Sequence, residues 1–334
     1  MEKNYFWVDF IKAIAAFAVI ILHVCVPVVY HFENQSTWQA ANFYESFVRF
    51  SVPVFVMVSG VLLLNKNEEL TLFLRKRFSR LLFPFIFWSF VYLFLKMDYN
   101  LQIKELVLYS LKQLKIGTEF HLWYIYMLIG LYLFIPILSK WTVNAPKKEM
   151  IYFLSIWAFV ILVSLPIFNK IYTKIDFRYF TGYMGYLVLG TFLHRFIHKK
   201  LRWLGFLLFL FGGLITIFVT YFLSLKSNSF DGRFYDFLGF NVVIASIGVF
   251  LLCKDMVVKN KFFKKAVGTI SKYSYGIYLS HILILIGFAK IEFDYTLFNP
   301  WISIPLIAFC VLGISLLLTF LLSKIPIVGK YISG

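Results

Sequence analysis

Residues 9 to 24, DFIKAIAAFAVIILHV, carry Asp9, Lys12 and His23 inside an otherwise apolar run. A charged group within a membrane-spanning segment costs about 2.5 to 3.5 kcal/mol even on insertion scales, so such groups face a cavity or a partner. On an α-helix Lys12 and His23 are about three turns and roughly 16 Å apart along the axis, in nearly the same angular direction. Asp9 lies one turn before Lys12, so the three residues line one stripe. Imidazole is the side chain whose ordinary pKa lies near neutrality, which suits His23 to general-base or transient acyl-carrier work, and Lys12 to holding an anionic group. A structural reading stands beside this one: Asp9 and Lys12 as an interfacial ion pair, Lys12 snorkelling, and His23 bonded to a neighbouring helix carbonyl.

Other residues extend the pattern. Arg77 and Arg80, in the run RKRFSR, fall one turn apart on one helical face and can grip phosphate with two guanidinium forks, or simply anchor the chain beside anionic headgroups. The run EFHLWYIY places Glu119, His121, Trp123 and Tyr124 at the start of an apolar segment, where an aromatic interface belt accounts for the Trp and Tyr but not for His121. His281 lies about nine residues into a later segment, near the expected midplane. Arg49 sits just inside the second segment. His31, His194 and His198 read as ordinary loop residues.

The elements that must position these groups are membrane helices. Of 334 residues 61% are hydrophobic, 21% aromatic and 15% charged, the composition of an all-α polytopic membrane protein. Ten segments approach the roughly 20 residues needed to span hydrocarbon: 7–30, 43–64, 81–97, 121–139, 149–168, 179–197, 203–224, 234–253, 273–290 and 298–323. Residues 99–116 alternate polar and apolar at helical spacing and read as a surface amphipathic helix. Alternate loops and the two ends hold 21 Lys and Arg against 11 in the opposite set, which puts both termini in the cytoplasm. No linker divides the chain, so a single membrane domain over 1–334 is expected, with the first segment retained as a span. The net charge of +17 follows from this loop bias, and no motif for nucleic acid accompanies it. Cys25, Cys253 and Cys310 lie in apolar segments without paired spacing, so neither a disulfide frame nor a metal site is indicated.

Taken together, D-x-x-K-x(10)-H at Asp9, Lys12 and His23, the run SVPVFVMVSGVLLL, R-x-x-R at Arg77 and Arg80, HLWYIYMLIGLYLFIPIL and YSYGIYLSH resemble the integral-membrane acyltransferase-3 family. The resemblance runs over essentially the whole chain. It implies a multi-pass enzyme of a bacterial-type cytoplasmic (inner) membrane. Such an enzyme takes an acyl group, usually acetyl, from coenzyme A and delivers it to a hydroxyl of a cell-surface or lipid-linked glycan. It further implies essential roles for Lys12 and His23 and coenzyme A contacts for Arg77 and Arg80; Asp9, from its place on the stripe, is expected to order the cytoplasmic end. Substrate contacts are expected of His121, Trp123, Tyr124, His281 and Arg49. No metal is implied.

Three features set this chain apart from the family pattern. Lys12 stands where arginine is common, Leu128 stands where many members have glutamate, and no extracytoplasmic hydrolase-like domain is expected after the last span. The HLWY run is similar to that of the subgroup holding enterobacterial-common-antigen O-acetyltransferases and the intercellular-adhesin modification protein. Buried Lys and His would also suit a transporter or flippase of a glycan or small anion, distinguished by having no need of an acyl donor. A structural partner of a glycan synthase would tolerate every polar substitution.

Overall fold

The computed structural model describes residues 5–32, 35–97, 102–164 and 182–334, and among these every regular element is helical. Seven helical stretches are long and apolar enough to cross a membrane: Phe6–Val29, Ser36–Leu63, Leu70–Lys96, Phe120–Asn144, Arg202–Ser227, Arg233–Cys253 and Pro300–Ser323. Three further apolar helices fall outside that measure by length or mean hydropathy. These are α7 (Lys147–Val163), α8 (Met184–Phe196) and α11 (Lys261–Lys290), the last carrying lysines through its first turns. Residues 165–168 and 179–181 of the expected fifth and sixth segments lie outside the described residues, as do 99–101 of the expected amphipathic helix. The rest of that amphipathic stretch is α5 (Ile103–Ile116), started by a capping box between Gln102 and Glu105 and exposing Val107, Leu108 and Leu111.

α1 (Phe6–Val29) is the central helix and packs against α2 (Gln35–Val48), α3 (Ser51–Leu63), α10 (Phe240–Cys253), α11 and α12 (Pro300–Ser323). Its Ile11, Ala15 and Cys25 are wholly buried. Helices α9 (Arg202–Ser227) and α12 instead show Phe211, Phe218, Phe222, Phe309, Leu317 and Leu321 outward, the surface hydrocarbon chains would cover. The span Ser36–Leu63 is broken at Arg49 and Phe50, because Pro53 has no N–H to offer the Arg49 carbonyl four residues earlier. Asn260 and Asn299 cap α11 and α12, accepting from Phe263 N and Trp301 N at 3.0 Å each.

Several boundaries differ from the sequence expectation: the second span begins at Ser36 and not at 43, the fourth runs on to Asn144, and two differences bear on the site. The third span, expected from 81, is the 27-residue helix α4 (Leu70–Lys96), so RKRFSR lies inside a helix and not in a loop before one. Arg and Lys are good helix formers, and charge counting by itself treats every cluster of cations as loop. Likewise α11 starts at Lys261, twelve residues before the expected 273, for the same reason. His194 also leaves its expected loop: it lies in the last turn of α8, its ring against those of Tyr5 and Trp7.

Helix pairing relies on close backbone approach, the usual device where lipid supplies no hydrophobic drive between helices. A Cβ on Gly60 of α3 would collide with the Leu187 backbone of α8, and one on Gly190 of α8 would collide with the Met57 backbone of α3. Gly190→Leu is therefore expected to force the pair apart and cost about 1 to 3 kcal/mol, read as a lower thermal midpoint of the detergent-solubilised protein. Gly313→Ala, with open space around the added methyl, should leave the midpoint unchanged or raised. Equal loss in both variants would show that the α3–α8 contact is not special.

Candidate active site

Hydrogen bonds join α1 to α11 at two levels. Near the start of α1, Asp9 accepts a hydrogen bond from Ser271 Oγ at 2.7 Å. Three to four turns later His23 Nδ1 lies 2.8 Å from His281 Nε2. His281 is wholly buried and His23 half-buried, leaving the latter the accessible member of the pair. His281 Nδ1 is 2.6 Å from the Tyr278 carbonyl, which can only accept, so Nδ1 carries the proton. In the neutral ring Nε2 is then an acceptor, and it takes the bond from His23 Nδ1–H. The relay leaves His23 Nε2 with a bare lone pair, the state a general base needs.

The surroundings hold this arrangement. Tyr92 of α4 donates to the Leu279 carbonyl at 2.6 Å and accepts from Leu283 N at 3.2 Å, clasping α11 on both sides of His281. His121 stands in the short 3-10 turn Phe120–Leu122, with its ring centroid 5.2 Å from that of His281 and 6.2 Å from that of His23. The His121 carbonyl accepts from the Tyr278 hydroxyl, while both of its ring nitrogens are buried without a partner. Lys96 at the end of α4 pairs with Glu119 at 2.7 Å, and Glu119 also accepts from Phe120 N, which fixes the turn that presents His121. Among the described residues no group of three or more His, Cys, Asp or Glu is placed to hold a metal ion.

Below the imidazoles, toward the start of α1, lies a cavity of about 550 Å³. Lys12, Lys66, Arg77, Arg80, Lys272 and Lys330 line it, and no Asp or Glu does. Six basic side chains, with Gly334 also in the lining, give the cavity a surplus of positive charge that suits a polyanion, and the Arg77 Nε is buried with no hydrogen-bond partner. Tyr124 and Tyr278 also line the cavity and stand ring to ring at 5.2 Å. Tyr278 in turn touches His121 and His281, with ring centroids 5.5 and 5.8 Å away. The cavity thus runs from a basic mouth to one aromatic layer short of His23. At the mouth, Lys76 hydrogen-bonds Glu68 at 2.7 Å and, with Arg77 adding to the effect, holds its carboxyl below the usual carboxylate range.

The residues singled out in the sequence therefore divide into groups. Lys12, Arg77, Arg80 and Tyr124 meet in the basic cavity, while His23, His121 and His281 meet above it. Asp9 is bonded to α11 beside the cavity. Trp123 turns elsewhere and stacks on Phe237 at 5.7 Å. Arg49 lies apart from the cavity, paired with Glu45 and set against the Tyr235 ring at 4.3 Å. Tyr92, Ser271 and Glu45 were not foreseen. Glu45 alone left a local signal, a carboxylate four residues before a membrane-embedded arginine.

Comparison with known proteins adds one match. The sequence profile of a family described as an acyltransferase domain fits residues 5–323. No curated protein and no solved structure matches the chain.

The relay makes a spectroscopic prediction. With ¹⁵N-labelled histidine, His23 and His281 should each show a protonated Nδ1 and an unprotonated Nε2, and His281→Gln should shift the His23 Nδ1 resonance while the protein stays folded. A neutral His23 protonated on Nε2 would remove its capacity to accept a proton from a substrate.

Proposed function

The chain belongs to this acyltransferase family, and on that footing we propose that it moves an acyl group from acyl-coenzyme A to a hydroxyl of a cell-surface or lipid-linked glycan. Acetyl is the first choice of group and succinyl the second. One observation carries the reading: a cavity lined by six basic side chains stops one aromatic layer short of a histidine pair whose outer member is half-buried. Coenzyme A is a polyanion on a long, thin pantetheine arm. Arg77 and Arg80 would grip its phosphates with Lys12, Lys66, Lys272 and Lys330 around them, and the arm would carry the thioester toward Tyr124 and Tyr278. A side-chain rotation in that aromatic layer would admit the acyl carbonyl to His23.

The step itself balances without a metal. His23 Nε2 takes the proton from the glycan hydroxyl as its oxygen bonds to the thioester carbonyl carbon. The carbon–sulfur bond then breaks, and the departing thiolate recovers the proton from His23. His281 accepts from His23 Nδ1 throughout and so favours the transient imidazolium. The paired relay supports His23 as base over His23 as acyl carrier, because a carrier needs no second imidazole to hold its tautomer.

The same reading places all ten apolar helices across the cytoplasmic membrane of a bacterium as a single catalytic domain, with α7, α8 and α11 completing the seven. The excess of Lys and Arg puts both termini and the mouth of the basic cavity on the cytoplasmic side, where acyl-coenzyme A is made. The HLWY run and Leu128 support a place in the subgroup that modifies surface polysaccharides.

Two measurements test the proposal. His23→Ala should lower acyl transfer by about 100- to 10,000-fold, the usual worth of a general base, in protein that still binds acetyl-coenzyme A; wild-type turnover in that variant would sink the mechanism. Arg77→Ala should weaken acetyl-coenzyme A binding by roughly ten- to a hundredfold, whereas Glu68→Gln, which removes a carboxylate 4.0 Å from Arg77, should strengthen it. The gain should be about two- to fivefold. Because Glu68 titrates below the usual range, its charge is present above that range and lost only as pH falls through it. The gain should therefore be constant from about pH 6 to 8. Calorimetric titration of the purified protein reads both, and an unchanged affinity in Arg77→Ala would return the arginine to a topology anchor.

A further inference from the structure

A second cavity, of about 620 Å³, opens at the other end of α1. Val26 and Val29, one and two turns beyond His23, form part of its wall, so His23 stands between the two cavities. The chemistry of this cavity is different. Its ionisable lining consists of two arginines, Arg49 and Arg233, and two carboxylates, Glu45 and Asp236, a balanced set where the charged side chains of the basic cavity are all cations. Aromatic rings of Tyr30, Phe230 and Tyr235 stand among them.

Two of these polar groups are unsatisfied in a way that points to a ligand. Glu45 is wholly buried and pairs with Arg49 through one oxygen, but its Oε2 has no partner; the Arg49 Nε, next to it, also has none. Both residues line the cavity, and each keeps one buried polar atom unpaired just behind the wall, an acceptor on Glu45 and a donor on Arg49, which a vicinal diol would satisfy once the pair turns toward it. The Tyr235 ring covers the Arg49 guanidinium at 4.3 Å and fixes its plane.

Resting on the acyl-transfer reading above, we infer that this cavity is the acceptor site, that it takes an uncharged pyranose, and that Glu45 and Arg49 hold neighbouring hydroxyls so that one faces His23. An uncharged ring fits because no cation is in surplus: Glu45 pairs with Arg49 and Asp231 holds Arg233, which leaves neither arginine for a uronate or a sugar phosphate. Tyr30, Phe230 and Tyr235 supply the apolar faces on which sugar C–H groups pack. The volume is within the ~300 to 1,000 Å³ of small-molecule sites and exceeds what one sugar ring fills, which leaves room for part of a chain. Donor and acceptor then enter from opposite ends of α1 and meet at one imidazole.

The experiment uses the full-length protein in lipid nanodiscs, radiolabelled acetyl-coenzyme A, and a panel of methyl pyranosides (gluco, galacto, manno and N-acetylgluco) beside the corresponding uronides. Transfer to at least one uncharged pyranoside is expected, with the uronides about tenfold poorer or worse. Arg49→Lys, which keeps the charge but loses the fork, and Tyr30→Ala, at a side chain 68% exposed and so harmless to folding, should each raise the acceptor KM by about tenfold. Acetyl-coenzyme A affinity should be unchanged in both. A preference for uronides, no transfer to any pyranoside by protein that binds acetyl-coenzyme A, or an unaltered acceptor KM in both variants would overturn the assignment. Failure of the wild-type protein to bind acetyl-coenzyme A would instead overturn the acyl-transfer reading on which it rests.

Discussion

An imidazole inside a membrane protein must find partners for two ring nitrogens within the protein itself, since hydrocarbon offers none. His23 and His281 meet that requirement largely by bonding each other, at 2.8 Å, and the register of the central helices depends on it. With Asp9 bonded to Ser271 three to four turns earlier on α1, that helix can neither slide nor rotate against α11 without losing a hydrogen bond at one end or the other. Tyr92 then ties α4 to the same stretch of α11, and Lys96 and Glu119 tie the end of α4 to the turn bearing His121. The polar bonds that stop the bundle from slipping are thus the bonds that bring three imidazoles together.

Charge is sorted along this axis. One end of α1 meets a cavity whose charged side chains are all cations, the other a cavity that mixes arginines and carboxylates, and the histidine pair between them is flanked by the rings of Phe120 and Tyr278. Such sorting gives the molecule a direction. A polyanion is drawn to the first end and gains nothing at the second, so two substrates of different charge would not compete for one entrance. On the reading proposed above, the aromatic layer of Tyr124 and Tyr278 also keeps a resting thioester away from the imidazole, and therefore from water activated by it.

Much of this could be read from the chain before folding. The stripe of Asp9, Lys12 and His23 follows from helical period alone, and Arg77 and Arg80 share a face for the same reason. His281 could be recognised as an expensive polar residue in a span. Its bond to His23 could not, because the two are 258 residues apart and periodicity within a segment says nothing about which segments touch. The extent of α4 was hidden for another reason: RKRFSR is helix-forming and cationic at once, and only packing decides whether such a run lies in a loop or continues a helix. Tyr92 left no signal at all, being one aromatic among many until α11 is laid against it.

The two departures from the family pattern inside the membrane domain have a common physical account. Lysine at position 12 lacks the planar fork of arginine, but Arg77 and Arg80 line the same cavity and supply two forks, so a point charge is sufficient at the third position. Leu128, in place of glutamate, lines that cavity as well. A carboxylate there would add a negative charge beside six basic side chains and weaken the field they set up in the cavity. A lysine that contributes only charge and a leucine that takes none away are consistent with each other: both suit a cavity that holds its ligand by summed field, with geometry left to the arginine pair on α4.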